Sequence, residues 1–166
     1  RPTNRTVILN HLIKHNNFKD YLEIGVRNPK KNFNKIKIKN KEGVDPNWLN
    51  NPSNGIKHSM TSDVFFSSID LNKKYDLIFI DGLHIYEQAY KDIENSLKHL
   101  SKKGIILIHD CNPLTEWHQR PLEEYDGTKT WNGTTWKAFV KLRCLKSNID
   151  MFTIDTDHGL GIIKNG

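Results

Sequence analysis

Two short runs of almost uninterrupted apolar residues limit the fold of this sequence more than any other feature. They are YDLIFID at positions 75–81 and GIILIHD at positions 104–110. Strands buried on both faces of a sheet have this pattern, because neither face needs polar side chains. Between the runs, residues 86–104 repeat apolar residues on one helical face from Ala89 to Leu100. This order predicts two parallel strands joined by a crossover helix.

The same alternation extends over the rest of the chain. Further helices are predicted at residues 5–16, at 31–37, at 134–144 and from Ser62 or Asp63, two good N-cap residues. Further strands are predicted at residues 20–26, at 41–47, weakly after Gly55, and on either side of a hairpin turn at 155–159. We therefore predict an α/β fold with helices on both faces of a mostly parallel, seven-stranded sheet that includes an antiparallel C-terminal strand.

The length and composition predict one domain. The chain has 166 residues, which fits a single domain covering residues 1–166. Residues 111–132 are polar, aromatic and rich in turn formers, so we expect a loop there that covers a ligand as a lid. No apolar run approaches the roughly 20 residues of a membrane-spanning helix. Two cysteines, Cys111 and Cys144, do not make a disulfide framework, so a cytoplasmic location is expected.

The positive charge is concentrated near the start of the chain. The formal net charge is +6, and six lysines lie between residues 30 and 41. Such an excess attracts acidic partners, for example a nucleotide, a phosphorylated sugar or an acidic glycan. A solvated, lysine-rich helix and strand edge would give the same pattern without a partner. Nucleic acid is compatible with this charge but is not required by it.

Polar residues or glycine lie at or just after the carboxyl end of each of the first five predicted strands. In strand order they are Glu23 and Gly25, Asp45, Ser62 and Asp63, Asp81 with Gly82 and His84, and His109 with Asp110 and Asn112. Because ligands of open α/β sheets bind beyond the carboxyl ends of the strands, these residues are predicted to form one site. Asp and His are also costly to bury without partners, which favours a functional reason for their position.

The first turn favours a nucleoside ligand over a dinucleotide. Gly25 allows close approach of the backbone, and Asp45 follows about 20 residues later, a spacing suited to ribose hydroxyls. The segment EIGVRNPKKN has one glycine where the dinucleotide fingerprint has three. This departure argues against NAD and against a P-loop, so a nucleoside without a pyrophosphate fits better.

The segments YLEIGV, GVDPN, FIDGLHIYEQ, GIILIHDCNP and WNGTTWKAFVKLR together resemble class I S-adenosylmethionine-dependent methyltransferases. More narrowly, the chain resembles small methyltransferases of sugar and polysaccharide biosynthesis, related to macrocin O-methyltransferases and cephalosporin-hydroxylase-like proteins. The resemblance covers nearly the whole chain. It implies a Rossmann-like three-layer sandwich and transfer of a methyl group from S-adenosylmethionine to a hydroxyl of a sugar, glycan or other small acceptor.

The resemblance also implies a role for each strand end in binding the cofactor. Glu23 and Gly25 would form the first cofactor loop, and Asp45 would bind the ribose with Pro46 shaping the turn. The adenine would lie near Ser62 and Asp63. The sulfonium end of the cofactor would be bordered by Asp81, Gly82 and His84.

In related metal-dependent O-methyltransferases, carboxylates after strands four and five hold a divalent ion. The matching residues are Asp81 and Asp110, with Asn112 as a third ligand. Mg²⁺ bound there would lower the pKa of the acceptor hydroxyl. Alternatively, His84 or His109 would remove the proton directly. Asp81, His84, His109 and Asp110 are therefore the candidate catalytic residues.

Two other functions remain open at this stage. A nucleic-acid methyltransferase would share the fold and the basic charge, although DGLH stands where base-methylating enzymes have (D/N)PP(Y/F). A non-catalytic, cofactor-binding or interaction module of a glycan-assembly protein would also fit. Many small methyltransferases of this kind pair, so a homodimer is an expectation from the resemblance alone.

Overall fold

The computed structural model describes residues 3–127 and 130–165. Its strands are β1 (Asp20–Ile24), β2 (Asn40–Val44), β3 (Ile56–His58), β4 (Tyr75–Ile80), β5 (Leu100–Ile108), β6 (Ile149–Ile154) and β7 (Leu160–Asn165). Its α-helices are α1 (Arg5–Asn16), α2 (Ser62–Ser68), α3 (Tyr86–Lys98) and α4 (Thr135–Leu145). No helix in these ranges is both long and apolar enough to cross a bilayer.

The strands form one seven-stranded sheet in the order β3-β2-β1-β4-β5-β7-β6. All pairs from β3 to β5 are parallel. Only β7 runs antiparallel to its neighbours β5 and β6. The predicted α/β sandwich, with a mostly parallel sheet and an antiparallel C-terminal strand, is confirmed.

Strand β4 shows why the apolar runs are continuous. Ile78 and Ile80 pack into the core that also contains buried residues of α2, α3 and α4. Leu77 and Phe79 point to the opposite face and pack with buried residues of α1. Because successive side chains alternate between faces, burial of both faces requires apolar residues at every position. Each such side chain stabilises the fold by about 1.5–3 kcal/mol.

The helix predicted at residues 86–104 ends earlier than expected. In the structure α3 stops at Lys98, and β5 begins at Leu100. Leu100 is buried and pairs with Tyr75 at the start of β4, so sheet pairing prevails over the helical spacing of the apolar residues. The carbonyl of His99 also accepts a hydrogen bond from the amide of Tyr75 at 2.8 Å.

The prediction of a helix at residues 31–37 was wrong, because only one 3-10 turn, Phe33–Lys35, forms there. Lys41 supplies the physical reason. Its ammonium is buried and donates to the carbonyls of Phe33 and Ile36 at 2.8 and 3.0 Å, so these oxygens are satisfied without the hydrogen bonds of an α-helix.

The helix predicted to begin near Ser62 or Asp63 is confirmed, because α2 begins at Ser62, but neither residue is its N-cap. Thr61 caps α2 by accepting a hydrogen bond from the amide of Val64. Ser62 and Asp63 therefore lie inside the first turn, where Asp63 is favourable beside the positive end of the helix dipole.

The segment predicted as a lid, residues 111–132, contains two short 3-10 turns, Glu116–Gln119 and Leu122–Glu124. Arg120 is buried between them, with its guanidinium 4.1 Å from the ring centre of Trp117 and 5.7 Å from that of Tyr125. Thr128 and Lys129 of this segment lie outside the described residues.

Candidate active site

A cleft of about 1130 Å³ opens at the carboxyl ends of β1, β2 and β4. The chain runs outward from β1 to β3 and then crosses back to β4, so β1 and β4 are the strands at which the direction of winding reverses. Open α/β sheets bind their ligands at such a switch point. The volume exceeds the roughly 300–1,000 Å³ of a usual small-molecule site, so the cleft has room for a cofactor together with an acceptor.

Gly25 brings the loops after β1 and β4 into contact. It adopts φ of +86°, and a Cβ atom there would lie 2.1 Å from the carbonyl oxygen of Asp81. The amide of Gly25 donates to Val44, and that of Asp81 donates to Ile24, each at 2.8 Å. The single glycine of the first turn is therefore required by close packing of two loops.

Asp45 presents a fixed carboxylate to the cleft. Its two oxygens accept hydrogen bonds from the backbone amides of Arg27 at 2.8 Å and Asn47 at 2.7 Å. Arg27 has φ of 45°, an uncommon left-handed conformation for a residue with a side chain. Pro46 also lines the cleft. The carboxylate is thus oriented before any ligand binds.

Glu23 lies behind the wall of the cleft rather than in it. The side chain is buried and accepts hydrogen bonds from Tyr21 Oη at 2.7 Å and Asn32 Nδ2 at 3.0 Å. Asn32 itself lines the cleft, and its Oδ1 accepts a hydrogen bond from Thr6 at 2.7 Å. Burial raises the pKa of Glu23 to about 7, against the opposing effect of the Tyr21 hydrogen bond.

The two residues predicted near the adenine, Ser62 and Asp63, point in different directions at the start of α2. Ser62 lines the cleft with Gln88 and Asp92. Gln88 Nε2 donates to Ser62 at 3.2 Å and to Asp92 at 3.1 Å. Asp63 is half exposed and pairs with Lys91 at 3.6 Å. Ser62 is therefore placed to touch a ligand, whereas Asp63 contacts the cleft only through Gln88.

The four candidate catalytic side chains meet beyond β4 and β5. Nε2 of His84 lies 3.3 Å from Asp81 Oδ1 and 3.2 Å from Asp110 Oδ2. Nδ1 of His109 lies 3.3 Å from the same Asp81 oxygen and 3.0 Å from the same Asp110 oxygen. Two carboxylate oxygens thus alternate with two imidazole nitrogens around one small space. Asp81 and His84 also line the cleft, so the cluster is continuous with it.

A second set of contacts holds these rings in place. His84 Nδ1 lies 3.1 Å from the carbonyl oxygen of Trp131, and His109 Nε2 lies 3.2 Å from Asp157 Oδ1. Because a carbonyl oxygen only accepts, His84 must carry a proton on Nδ1, which leaves Nε2 directed at the carboxylates. The same reasoning places the proton of His109 on Nε2. Asn132 donates a short hydrogen bond to Asp110.

Arg5 closes the cluster on the side of α1. Its Nη1 lies 2.5 Å from Asp81 Oδ2, and its Nε lies 3.0 Å from Asp157 Oδ2. Helix α1, the end of β4 and the turn between β6 and β7 therefore share one network of charges, although they are distant in sequence.

These charges shift the pKa values of the cluster. Burial alone would lower the pKa of His109, but the charge of Asp81 and the close contacts with Asp110 and Asp157 raise it to about 11. Burial would raise the pKa of Asp81, but the positive charge of His109 holds it well below its usual range. The pKa of His84 is raised as well, since the carboxylates of Asp81 and Asp110 outweigh burial.

Asn112, predicted as a third metal ligand, is not brought to the carboxylate pair. Its exposed amide donates to Asp155 at 2.9 Å in the turn between β6 and β7. The reason is the backbone of Asp110, which has φ of 61° and turns the following residues onto that hairpin. Cys111 and Asn112 donate their amides to Gly159 and His158 there, both at 3.0 Å. The structure places Asn132 on Asp110 instead.

The aromatic residues of the predicted lid pack on one another and on the cluster. Trp131 stacks on Tyr125 with ring centres 4.5 Å apart, and its ring centre lies 5.4 Å from that of His84. Its indole nitrogen donates to the carbonyl of Arg120 at 2.7 Å. Trp131 therefore packs the predicted lid onto the cluster and also orients His84.

Sequence reasoning missed several residues of the site. They are Arg5, Asn32, Gln88, Asp92, Asn132 and Asp157. Asp92 offered one signal, because it is an acidic residue directly before Ile93 on the apolar face of α3. Asp157 lies in the polar hairpin turn predicted at residues 155–159. Arg5 and Asn132 offered no signal, since they meet the strand ends only through the tertiary fold.

The family model described as a methyltransferase domain matches residues 9–111. No curated protein matches the chain. Many solved structures are similar to it. The O-methyltransferase of Bacillus cereus in complex with SAH has a TM-score of 0.69 at 13% identity, over 96% of this chain and 79% of that chain. The O-methyltransferase TomG of Streptomyces achromogenes, involved in tomaymycin synthesis and in complex with SAM, has a TM-score of 0.70 at 10% identity, over 95% and 78%.

SAH-bound methyltransferase PaMTH1 of Podospora anserina has a TM-score of 0.64 at 16% identity, over 98% of this chain and 78% of that chain. At these identities the likeness establishes a shared fold, which is Rossmann-like. The family match extends from within α1 past the end of β5, so it includes Asp45, Asp81 and Asp110. Since the match spans more than half of its residues, the chain belongs to this family of methyltransferase domains.

Proposed function

We propose that the protein transfers a methyl group from S-adenosylmethionine to a hydroxyl oxygen of a small or carbohydrate acceptor. The observation that carries this proposal is one cleft that has different polar side chains in its two regions. The fixed carboxylate of Asp45 lies in one region, and the cluster of Asp81 and His84 lies in the other. The SAM and SAH bound to two similar O-methyltransferases support the choice of cofactor.

In this proposal Asp45 accepts hydrogen bonds from both ribose hydroxyls. Its oxygens each retain a free lone pair after binding the amides of Arg27 and Asn47. Pro46 shapes the turn that follows. Gly25 and Gly82 allow the backbone to approach the methionine part and the sulfonium, and Asn32, held by Glu23, borders the same end.

Ser62 would lie beside the adenine. Its hydroxyl accepts a hydrogen bond from Gln88, which fixes it at the cleft wall. Asp63, also predicted there, would act through Gln88 rather than by contact.

The reaction requires that the acceptor oxygen form a bond to the methyl carbon while the carbon–sulfur bond breaks. The electron pair stays on sulfur, so SAH leaves, and the hydroxyl proton must be accepted by a nearby group. Asp81 and His84 are the members of the cluster that face the cleft, so we assign them to the acceptor oxygen. Positioning of the two reactants contributes most of the acceleration, because the methyl donor is already activated.

A divalent cation fits the proposal. Ligand atoms of Asp81, His84 and Asp110 all lie within 4.8 Å of one another. Deeper in the cluster, Oδ2 of Asp110 is buried and has no hydrogen-bond partner among the described residues, as expected of an atom that faces a cation. A cation held there would lower the pKa of a bound hydroxyl.

An acidic acceptor is favoured by one wall of the cleft. Arg27, Lys31 and Lys35 line it, and none of the three side chains has an ion-pair partner within residues 3–127 and 130–165. Unpaired cations at the mouth of a cleft attract phosphate or carboxylate groups. We therefore propose a sugar or glycan hydroxyl on an acidic acceptor, with residues 1–166 acting as one domain and 111–132 as its lid.

Titration calorimetry with SAH tests the proposal. Asp45→Ala should abolish SAH binding, whereas Asp150→Ala should not, because Asp150 pairs with Lys164 on the distant edge of the sheet. Thermal unfolding of both variants establishes that they fold. Absence of SAH binding by the folded wild-type protein would overturn the proposal. Methyl transfer to a panel of sugars, glycans and phosphorylated sugars would then identify the acceptor.

A further inference from the structure

We infer that the cluster of Asp81, His84, His109 and Asp110 is a site for a first-row transition-metal ion, with both imidazoles as ligands. This inference rests on the proposed function, because the ion would serve the acceptor of that reaction. It differs from a magnesium site formed by carboxylates, and it gives His84 and His109 a role other than that of a base.

The geometry of the four atoms carries the first step. Each imidazole nitrogen lies 3.0–3.3 Å from the same two carboxylate oxygens. Neighbouring ligands about 2.1 Å from a shared ion, at angles between square and tetrahedral, are themselves about 3.0–3.4 Å apart. The four contacts match this spacing.

Hydrogen bonding does not account for the same contacts. Of the four, only that between His84 Nε2 and Asp81 Oδ1 has the geometry of a hydrogen bond. Nδ1 of His109 and Oδ2 of Asp110 have no hydrogen-bond partner among the described residues, although they lie 3.0 Å apart. Their side chains are only 6% and 3% exposed, so water does not readily compensate them. Such atoms in a buried cluster indicate a ligand that both face.

The outer contacts select the tautomers that a metal needs. The Trp131 carbonyl holds the proton of His84 on Nδ1, and Asp157 holds that of His109 on Nε2. Metal binding displaces the second proton of each ring. The lone pairs of His84 Nε2 and His109 Nδ1 are then directed at the shared space. Metal-binding histidines characteristically donate their other N–H to a carbonyl or a carboxylate in this way.

The donor set determines the kind of metal. Mg²⁺ prefers oxygen ligands in octahedral geometry and keeps several waters. Imidazole suits Zn²⁺, Fe²⁺, Co²⁺ and Ni²⁺, and two imidazoles with two carboxylates suit these ions better than Mg²⁺.

Binding of Co²⁺ and Mg²⁺ to the purified protein tests the inference without measuring activity. Co²⁺ is followed by its visible absorption, which reports nitrogen ligands and low coordination number, and Mg²⁺ by calorimetry. A stacked pair on the surface of α1, His11 and His15, would bind Co²⁺ as well, so all proteins carry His15→Gln. We expect one Co²⁺ per chain, bound at least tenfold more tightly than Mg²⁺.

Substitutions within the cluster should weaken that site. In His84→Gln and His109→Gln, the Kd for Co²⁺ should rise at least tenfold and the visible spectrum should change. His58→Gln is the matched control, because His58 also contacts a carboxylate, Glu42 at 2.8 Å, but lies on the edge strand β3, three strands away from β4. It should leave the Kd for Co²⁺ unchanged.

SAH binding is measured on the same samples to separate the two proposals. Binding of SAH without saturable Co²⁺ binding would overturn the metal inference and leave the proposed methyltransferase intact. Co²⁺ binding that is unaffected by both histidine substitutions would also overturn it. If the wild-type protein does not bind SAH, that result would instead contradict the proposed function, whatever the result with Co²⁺.

Discussion

Oδ1 of Asp157 lies 3.2 Å from Nε2 of His109, so the turn between β6 and β7 fixes a ring at the end of β5. Asp157 also accepts three hydrogen bonds from Arg5, through its backbone amide, Nε and Nη2, at 2.8–3.1 Å. One carboxylate therefore orients a residue of the cluster and anchors α1 beside it.

Asp157→Ala should reduce the affinity of the cluster for Co²⁺ by about 10- to 100-fold, the usual effect of removing the partner of a metal-binding histidine. It should also lower the free energy of unfolding by about 1–3 kcal/mol, because Arg5 loses one of its two carboxylate partners. Asp155→Ala is the control in the same turn, since Asp155 contacts only Asn112 among the residues of the predicted site. Equal effects of the two substitutions would contradict this role of Asp157.

Gly25→Ala should lower the free energy of unfolding by more than about 2 kcal/mol and remove SAH binding, because its Cβ would collide with the Asp81 carbonyl. Gly127→Ala is a matched control. Gly127 also has a positive φ, of +76°, but nothing lies within 4 Å of its added Cβ. Gly127→Ala should lower the free energy of unfolding by about 1 kcal/mol. Urea unfolding measures both, and similar values would show that backbone conformation alone matters at Gly25.

Glu23 should make the protein less stable as pH rises. Its pKa of about 7 in the folded state exceeds its ordinary value of 4.5, so the folded state binds the proton more tightly than the unfolded chain. Stability is then lost between these two values as pH increases, by about 3 kcal/mol for this one group. The difference in unfolding free energy between Glu23→Gln and wild type, measured from pH 4.5 to 8, should shift by this amount in favour of the variant. Glu116→Gln, in the exposed predicted lid, should show a constant difference.

Lys31→Ala should raise the KM for an acidic acceptor about three- to tenfold and leave the KM for a neutral one unchanged. A single exposed charge contributes about this much to the attraction of a ligand, and salt screens it. Lys39→Ala removes an exposed charge that does not line the cleft, so it should change neither KM. A steady-state comparison at low and high salt measures the effect. Equal KM changes for both acceptors would argue against recognition of an acidic group.

Local patterns were enough to locate the strand ends but not to complete the site. Residues 75–81 and 104–110 predict adjacent parallel strands, so the convergence of Asp81, His84, His109 and Asp110 follows from two runs of sequence. Their roles stay predictions. Asn112 follows Asp110 in sequence but turns away, because the left-handed backbone of Asp110 is a tertiary effect that no local pattern reveals.

The failures in the fold have a similar origin. The lysine-rich segment 31–37 has the composition of a helix, yet the buried ammonium of Lys41 satisfies its carbonyls from the neighbouring strand. The spacing of Leu100 continues that of α3, yet pairing with β4 makes it part of β5. In both places a contact between elements outweighs the local preference.

The bond between Arg5 and Asp157 joins positions 152 residues apart. Closing so long a loop costs conformational entropy. The contact therefore stabilises the chain only after most of the sheet has assembled. We therefore expect the cluster to close late in folding. A partly folded chain that has formed β1 to β5 would already hold Asp45 and Asp81 near one another, while the ring of His109 remained free to turn.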